Sequence, residues 1–101
     1  MSARIDIPKD KIAEFCRQNR IHRLALFGSV LRDDFGPDSD VDVLVEFEPG
    51  AKVGFFELYD MEQELSRLLG GRTVEMNTAK SLSKYFRDEV LREAEVHYAE
   101  T

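Results

Sequence analysis

The chain has 101 residues, 43% hydrophobic and 34% charged, which suffices for one compact domain and leaves no room for a separate substrate domain. Its formal net charge of −6 disfavours direct DNA binding and requires a cation or a local basic patch beside any polyphosphate substrate. One cysteine excludes an internal disulfide, and no stretch approaches the ~20 apolar residues of a membrane span. We therefore predict a single cytoplasmic domain over residues 1–101, without membrane association.

The first third of the chain predicts a helix, a strand and a loop in that order. Pro8 suits a first helical turn, and apolar residues follow it at helical spacing, which predicts a helix over about residues 8–19. A short apolar run at residues 24–27, stopped by Gly28, predicts a buried strand that enters a tight turn. Residues 33–39 are rich in Asp, Gly, Pro and Ser and are expected to form a connecting loop.

A strand with two chemically different faces is predicted at residues 40–47. Three alternating valines fall on one face by the two-residue period of a strand, whereas Asp40 and Asp42 fall on the other. The valine face is expected to join the core. The carboxylate face is then available for a site.

The rest of the chain predicts a helix over residues 53–69, a third short strand over 73–77 and a last helical stretch over 82–94. Strands separated by helical crossovers indicate an α/β (α+β) fold, with a small mixed sheet of three to four strands covered by helices on one face. In that arrangement Glu75 lies on the uncovered face together with Asp40 and Asp42.

Two short motifs have the chemistry of a phosphate and metal site. Asp40 and Asp42 are two residues apart on a strand, so their Cα atoms lie about 6.6 to 7 Å apart and both carboxylates can reach the same metal ions. Gly28 lets the backbone pass close to an anion, and Ser29 offers a hydroxyl and an N–H to a phosphate oxygen. Each motif alone is common, but Gly-Ser, ten residues, then Asp-x-Asp is expected by chance in roughly one chain in a thousand.

Together with Arg32 and the run of residues 39–45, these motifs resemble the signature of minimal nucleotidyltransferases in the DNA polymerase beta superfamily. The resemblance covers nearly the whole chain and extends through residues 71–75 and 87–94. It implies the nucleotidyltransferase fold and a Mg²⁺-dependent transfer of a nucleoside monophosphate from a triphosphate, ATP in the better understood members, to a hydroxyl.

The resemblance also implies a role for each site residue. Asp40 and Asp42 would be metal ligands, while Ser29, next to Gly28, would hold the triphosphate. Glu75 would be the third carboxylate, acting as a metal ligand or as the base toward the acceptor; members of the family more often have Asp there. Arg32 has two alternatives, a phosphate contact or a surface ion pair with the neighbouring aspartates.

Standalone members of the family are frequently antitoxins paired with a helical HEPN-type ribonuclease toxin, and some adenylylate a tyrosine of that toxin. The resemblance therefore implies a HEPN-type toxin as partner and a protein adenylyltransferase activity. The alternative is a non-catalytic module that neutralises its partner by stoichiometric binding.

An aromatic cluster at the start of the predicted second helix has two interpretations. Phe55, Phe56, Leu58 and Tyr59 have helical spacing, which usually indicates core, but they could also form an interface in a homodimer or a heteromer. Of the two, core is the favoured interpretation.

Overall fold

The computed structural model describes residues 7–32, 36, 39–85 and 87–100. Within this part of the chain it contains three α-helices, four β-strands and two short 3-10 turns. In chain order the elements are α1 (Lys9–Gln18), β1 (Ile21–Phe27), the first 3-10 turn (Gly28–Leu31), β2 (Val41–Phe47), α2 (Phe55–Leu68), β3 (Val74–Asn77), the second 3-10 turn (Ala79–Ser81), α3 (Arg87–Glu93) and β4 (Glu95–Ala99).

The four strands form one mixed sheet in the order β3-β2-β1-β4. Strand β1 runs antiparallel to both β2 and β4, whereas β2 and β3 are parallel. A parallel pair needs a crossover connection, and α2 supplies it. The predicted fold class, a small mixed α/β sheet with helices, is confirmed.

The hydrophobic core lies between one face of the sheet and the helices α1 and α2. The two helices contribute their apolar faces, and the strands contribute alternate residues, as the two-residue period requires. Among the buried members are Ile12, Phe15 and Cys16 of α1, Met61 and Leu65 of α2, Leu24 and Leu26 of β1, the three valines of β2, and Val74 and Met76 of β3.

The predicted elements agree with the structure except near the C-terminus. The last helical stretch, predicted over residues 82–94, is helical only at Arg87–Glu93. The chain then turns into β4, which was not predicted as a strand and pairs with β1 as the fourth strand of the sheet. Val96 and Tyr98 alternate with polar residues there, but the helical spacing of Val90 and Ala94 masked this short strand signal.

The aromatic cluster is not core, and that interpretation was wrong for three of its four members. Leu58 packs against the core, while Phe55, Phe56 and Tyr59 are exposed. The first turn of α2 places these three rings where no other described element covers them.

Two further sequence predictions fall partly outside the described residues. In the predicted loop at 33–39, residues 33–35 and 37–38 lie outside them, as does Phe86 in the last helical stretch. In the described ranges, no helix is long and apolar enough to cross a bilayer.

Candidate active site

Asp42 and Glu75 lie side by side on the sheet face that points away from the core. The parallel register of β2 and β3 places Asp42 opposite Glu75, one position along from the buried pair Val41 and Val74. Because successive side chains on a strand alternate between faces, both carboxylates project from the uncovered face. The predicted carboxylate face of β2 is therefore confirmed for Asp42, whereas Asp40 precedes the strand.

Asp40 and Ser29 approach each other just before β2 begins. The Ser29 hydroxyl donates a long hydrogen bond of 3.5 Å to the Asp40 carbonyl oxygen. The backbone N–H of Arg32 donates to the Ser29 carbonyl oxygen at 2.9 Å, which closes the 3-10 turn after β1. The tight turn predicted at Gly28 is thus this short 3-10 turn, and it brings the Gly-Ser motif to the Asp-x-Asp motif.

Gly28 is required by the close approach of Asp42. The residue before it, Phe27, is the cross-strand partner of Asp42, so the chain turns directly beside that carboxylate. Gly28 has a φ of +77°, and a Cβ built on it would lie 2.5 Å from the Asp42 Oδ2 atom. A side chain at this position would meet both backbone strain and a steric clash. The close approach gives a physical reason for glycine in the Gly-Ser motif.

The electrostatics of the site centre on Asp42. Burial is the largest cause that raises its pKa above the ordinary value for Asp, followed by the negative charges of Glu75 and Asp40, while the positive charge of Arg32 lowers it. At the start of β2, Asp42 therefore lies in the field of two further carboxylates, which the positive charge of Arg32 opposes in part. Such a pKa pattern is typical of functional carboxylates.

The residues present fit a divalent cation. Carboxylate oxygens are the ligands that Mg²⁺ prefers, and a cation beside Asp42 would relieve the repulsion that raises its pKa. Over residues 7–32, 36, 39–85 and 87–100, no three His, Cys, Asp or Glu side chains already converge as a complete metal site. Mg²⁺ commonly binds through one or two carboxylates together with substrate phosphates and waters, so a preformed three-residue cluster is not required.

An additional interaction that the sequence did not reveal holds the segment before β2. The Arg72 guanidinium donates to the Gly36 carbonyl oxygen at 3.1 Å, and the Gly36 N–H donates to the Ser39 hydroxyl at 3.1 Å. Both bonds help fix the chain just before Asp40. Arg72 lies 36 residues after Gly36 in the sequence, so local sequence patterns could not predict this contact.

A groove lies on the same sheet face as Asp42 but toward the other end of β2, and Asp40, Asp42 and Glu75 do not line it. It has a volume of about 620 Å³, and its floor includes Leu44, two residues along β2 from Asp42, and the cross-strand neighbour Ala25. The remaining wall comes partly from the segment after β3 and from the end of α3, through Thr78, Ala79, Lys80, Leu91 and Ala94. A pocket of this size can accept a large side chain or a small ligand.

Comparisons with known proteins agree on one family. The sequence model of the nucleotidyltransferase domain matches residues 9–97. A protein of Methanocaldococcus jannaschii, provisionally named protein adenylyltransferase, is 33% identical over 86 residues, which cover 85% of this chain and 89% of that relative.

Two solved structures have a similar fold. One, provisionally named minimal nucleotidyltransferase, superimposes with a TM-score of 0.68 at 34% identity and covers 85% of each chain. The other is the complex of a tri-AMPylated HEPN toxin from Shewanella oneidensis with its MNT antitoxin. It matches with a TM-score of 0.64 at 19% identity, covering 90% of this chain and 69% of that chain, and supports the fold alone.

The matched family is the one that the Gly-Ser and Asp-x-Asp motifs predicted. The match spans the 3-10 turn that carries Gly28 and the strands that carry Asp42 and Glu75, and the fold agrees with a minimal nucleotidyltransferase at 34% identity. The chain belongs to the nucleotidyltransferase family and is an enzyme of that class.

Proposed function

We propose that this chain is a Mg²⁺-dependent protein adenylyltransferase that transfers AMP from ATP to a tyrosine hydroxyl of a HEPN-type toxin and thereby acts as its antitoxin. The observation that carries the proposal is the position of Asp42, packed against Gly28 and facing the charges of Asp40 and Glu75. The relative named protein adenylyltransferase supports the reaction type.

The proposed site divides into a metal part and a phosphate part. Asp40, Asp42 and Glu75 would hold Mg²⁺, which neutralises phosphate charge and assists departure of pyrophosphate. Gly28, Ser29 and Arg32 would contact the triphosphate of ATP. Gly28, which has no side chain, would let the phosphates approach the backbone, and Arg32, whose positive charge acts on Asp42, would help neutralise them.

The transfer step requires one proton acceptor. The acceptor oxygen forms a bond to the α-phosphorus, the bond from that phosphorus to the bridging oxygen breaks, and pyrophosphate leaves. The hydroxyl proton passes to Glu75, which is exposed at the free edge of the sheet and lies opposite Asp42. Exposure leaves this carboxylate accessible to a protein substrate.

The partner assignment is supported by the Shewanella oneidensis complex, in which an MNT antitoxin is bound to an AMPylated HEPN toxin. The groove is compatible with a protein acceptor because it lies on the same sheet face as Asp42, and Leu44 in its floor is two residues along β2 from that carboxylate. A tyrosine side chain is small enough to enter a groove of about 620 Å³.

The experiment follows label from the α-phosphate of ATP. Wild type, Asp42→Asn and Glu89→Gln are incubated with Mg²⁺ and a purified HEPN-type toxin. Glu89→Gln is the matched control, because Glu89 is an exposed carboxylate on α3 that does not line the groove. We expect label on tyrosine with wild type and with the control. Asp42→Asn should lower the rate of label transfer about 10³-fold, because metal contacts contribute several kcal/mol to the transition state and each 1.36 kcal/mol changes the rate tenfold.

The alternative of a non-catalytic binding module gives a different result. The HEPN-domain protein would bind and be neutralised, but no label would appear, and Asp42→Asn would neutralise as well as wild type. The absence of a preformed three-residue metal cluster among the described residues is the observation that keeps this alternative worth testing.

A further inference from the structure

Three aromatic side chains at the start of α2 form one exposed surface. Phe55 and Phe56 expose 90% and 87% of their area, and Tyr59 exposes 60%. Residues three and four apart are neighbours on a helix, so these rings adjoin, and we call them the aromatic patch. At about 150 to 250 Å² per large aromatic, the patch presents on the order of 400 to 500 Å². Apolar patches of this size are often functional.

The fold does not depend on the aromatic patch. Helix α2 is held to the core by Met61 and Leu65, which are buried, and by Leu58. Its first turn is fixed by the Gly54 N–H, which donates to the Glu57 carboxylate at 3.0 Å. The three rings therefore serve neither the core nor the helix cap.

The aromatic patch is remote from the carboxylate site. The Met76 N–H donates to the Glu62 carboxylate at 2.8 Å, so Glu62 of α2 lies level with the strand position next to Glu75. Phe55 precedes Glu62 by seven residues, which places it about 10 Å farther along the helix axis. Helix α2 also covers the core face of the sheet, whereas Asp42 and Glu75 project from the opposite face. A partner on the patch would leave the carboxylates uncovered.

The charges around the aromatic patch indicate which kind of partner it fits. Glu57 and Asp60 are exposed on the same helical turns, and the whole chain has a net charge of −6. A twofold-symmetric contact with a second copy would bring these acidic residues together, which is unfavourable. A protein surface with an apolar depression rimmed by Lys and Arg would satisfy both the rings and the carboxylates.

We propose that the aromatic patch is the docking site of a protein partner that presents an apolar depression with a basic rim. The proposal rests on the proposed function in one respect: the partner is the HEPN-type protein that carries the acceptor hydroxyl. Docking on α2 holds the partner, and the carboxylates on the other face carry out the transfer. Binding and catalysis are then separable by mutation.

The test measures binding without transfer. The probe is a purified HEPN-type toxin, and every variant is made in the Asp42→Asn background and measured without ATP. We expect Phe55→Ser combined with Phe56→Ser to raise the Kd at least about a hundredfold, because central aromatic anchors dominate interface energies. Asp60→Lys is expected to lower the association rate about tenfold at low salt. Binding as tight as that of the parent would overturn the proposal.

Matched controls separate docking from general damage and from self-association. Tyr85→Ser removes another ring, 89% exposed, outside the patch, and Glu89→Lys reverses another exposed acidic residue; both should bind like the parent. Unchanged thermal unfolding of the double variant confirms its fold. If the chain alone sediments as a dimer that the patch variants dissociate, the occupant is a second copy and the proposal is overturned. If binding depends on the patch but the protein with Asp42 intact transfers no label from ATP, the proposed function is wrong and the docking site is still supported.

Discussion

Strand β2 separates two functions by the direction in which its side chains point. Its three valines are buried against the helices, whereas Asp42 and Glu46 lie on the opposite face. The valine face stabilises the fold through burial, and the carboxylate at Asp42 has a raised pKa because it is partly buried beside other negative charges. Neighbouring positions on one strand are therefore expected to give opposite results when they are substituted.

Substitution of the proposed base, Glu75, is expected to lower the transfer rate most strongly. Glu75→Gln keeps the size of an exposed side chain and removes its ability to take a proton, so we expect kcat for label transfer to fall about 10² to 10⁴-fold. The fold should be unaffected. Steady-state kinetics with Glu89→Gln as the control measure this effect, and a Glu75→Gln variant with wild-type kcat would exclude Glu75 as the base.

Gly28→Ala tests the contact between the turn and the carboxylate. The positive φ costs about 1 to 2 kcal/mol of stability for a residue with a side chain. The new Cβ also displaces the Asp42 carboxylate, and a shift of about 1 Å can lower the transfer rate about 10²-fold.

Gly50→Ala is the matched control for Gly28→Ala. Gly50 has a φ of +86° with no atom within 4 Å of an added Cβ, so it shares the backbone strain and lacks the clash. Urea unfolding should show similar losses for both variants, whereas only Gly28→Ala should lose transfer. Equal transfer rates would mean that the close approach has no role in catalysis.

Val43→Ala addresses the other face of the same strand. Val43 is fully buried, and removing its two methyl groups should lower the free energy of unfolding by about 1.5 to 3 kcal/mol through lost burial and a residual cavity. The exposed Val96→Ala serves as control. The transfer rate per folded molecule should stay at the wild-type value. A lower kcat for Val43→Ala, measured at temperatures well below its melting transition, would contradict the separation of the two faces.

The sequence predicted the two faces of β2 because the two-residue period is a local property. It also predicted that Gly28 and Asp42 belong together, although only the register of β1 with β2 shows why glycine is needed. Strand β4 and the exposure of the aromatic patch were missed, since both depend on distant parts of the chain. Helical spacing identifies an apolar ring on α2, but whether another element covers that ring depends on how far the helix extends beyond the core.

The smallest expected effect concerns Asp42 and the stability of the metal-free protein. Its pKa is raised in the folded state above the ordinary value of 3.8, so the folded protein binds this proton more tightly than the unfolded chain does. The favourable contribution is present below the unfolded pKa and is lost as the pH rises through the folded pKa. Ionised Asp42 therefore destabilises the protein at neutral pH.

Asp42→Asn should accordingly be more stable than wild type in urea at pH 7 without Mg²⁺, and the difference should shrink as the pH falls through the raised pKa of the wild-type carboxyl. Added Mg²⁺ should raise the melting temperature of wild type and leave Asp42→Asn unchanged, because ligand binding stabilises only the state that binds it. Glu46→Gln should respond to Mg²⁺ like wild type. If Asp42→Asn is less stable than wild type at pH 7, other groups in the fold already stabilise the ionised carboxylate of Asp42. The electrostatic argument for a cation beside Asp42 would then fail.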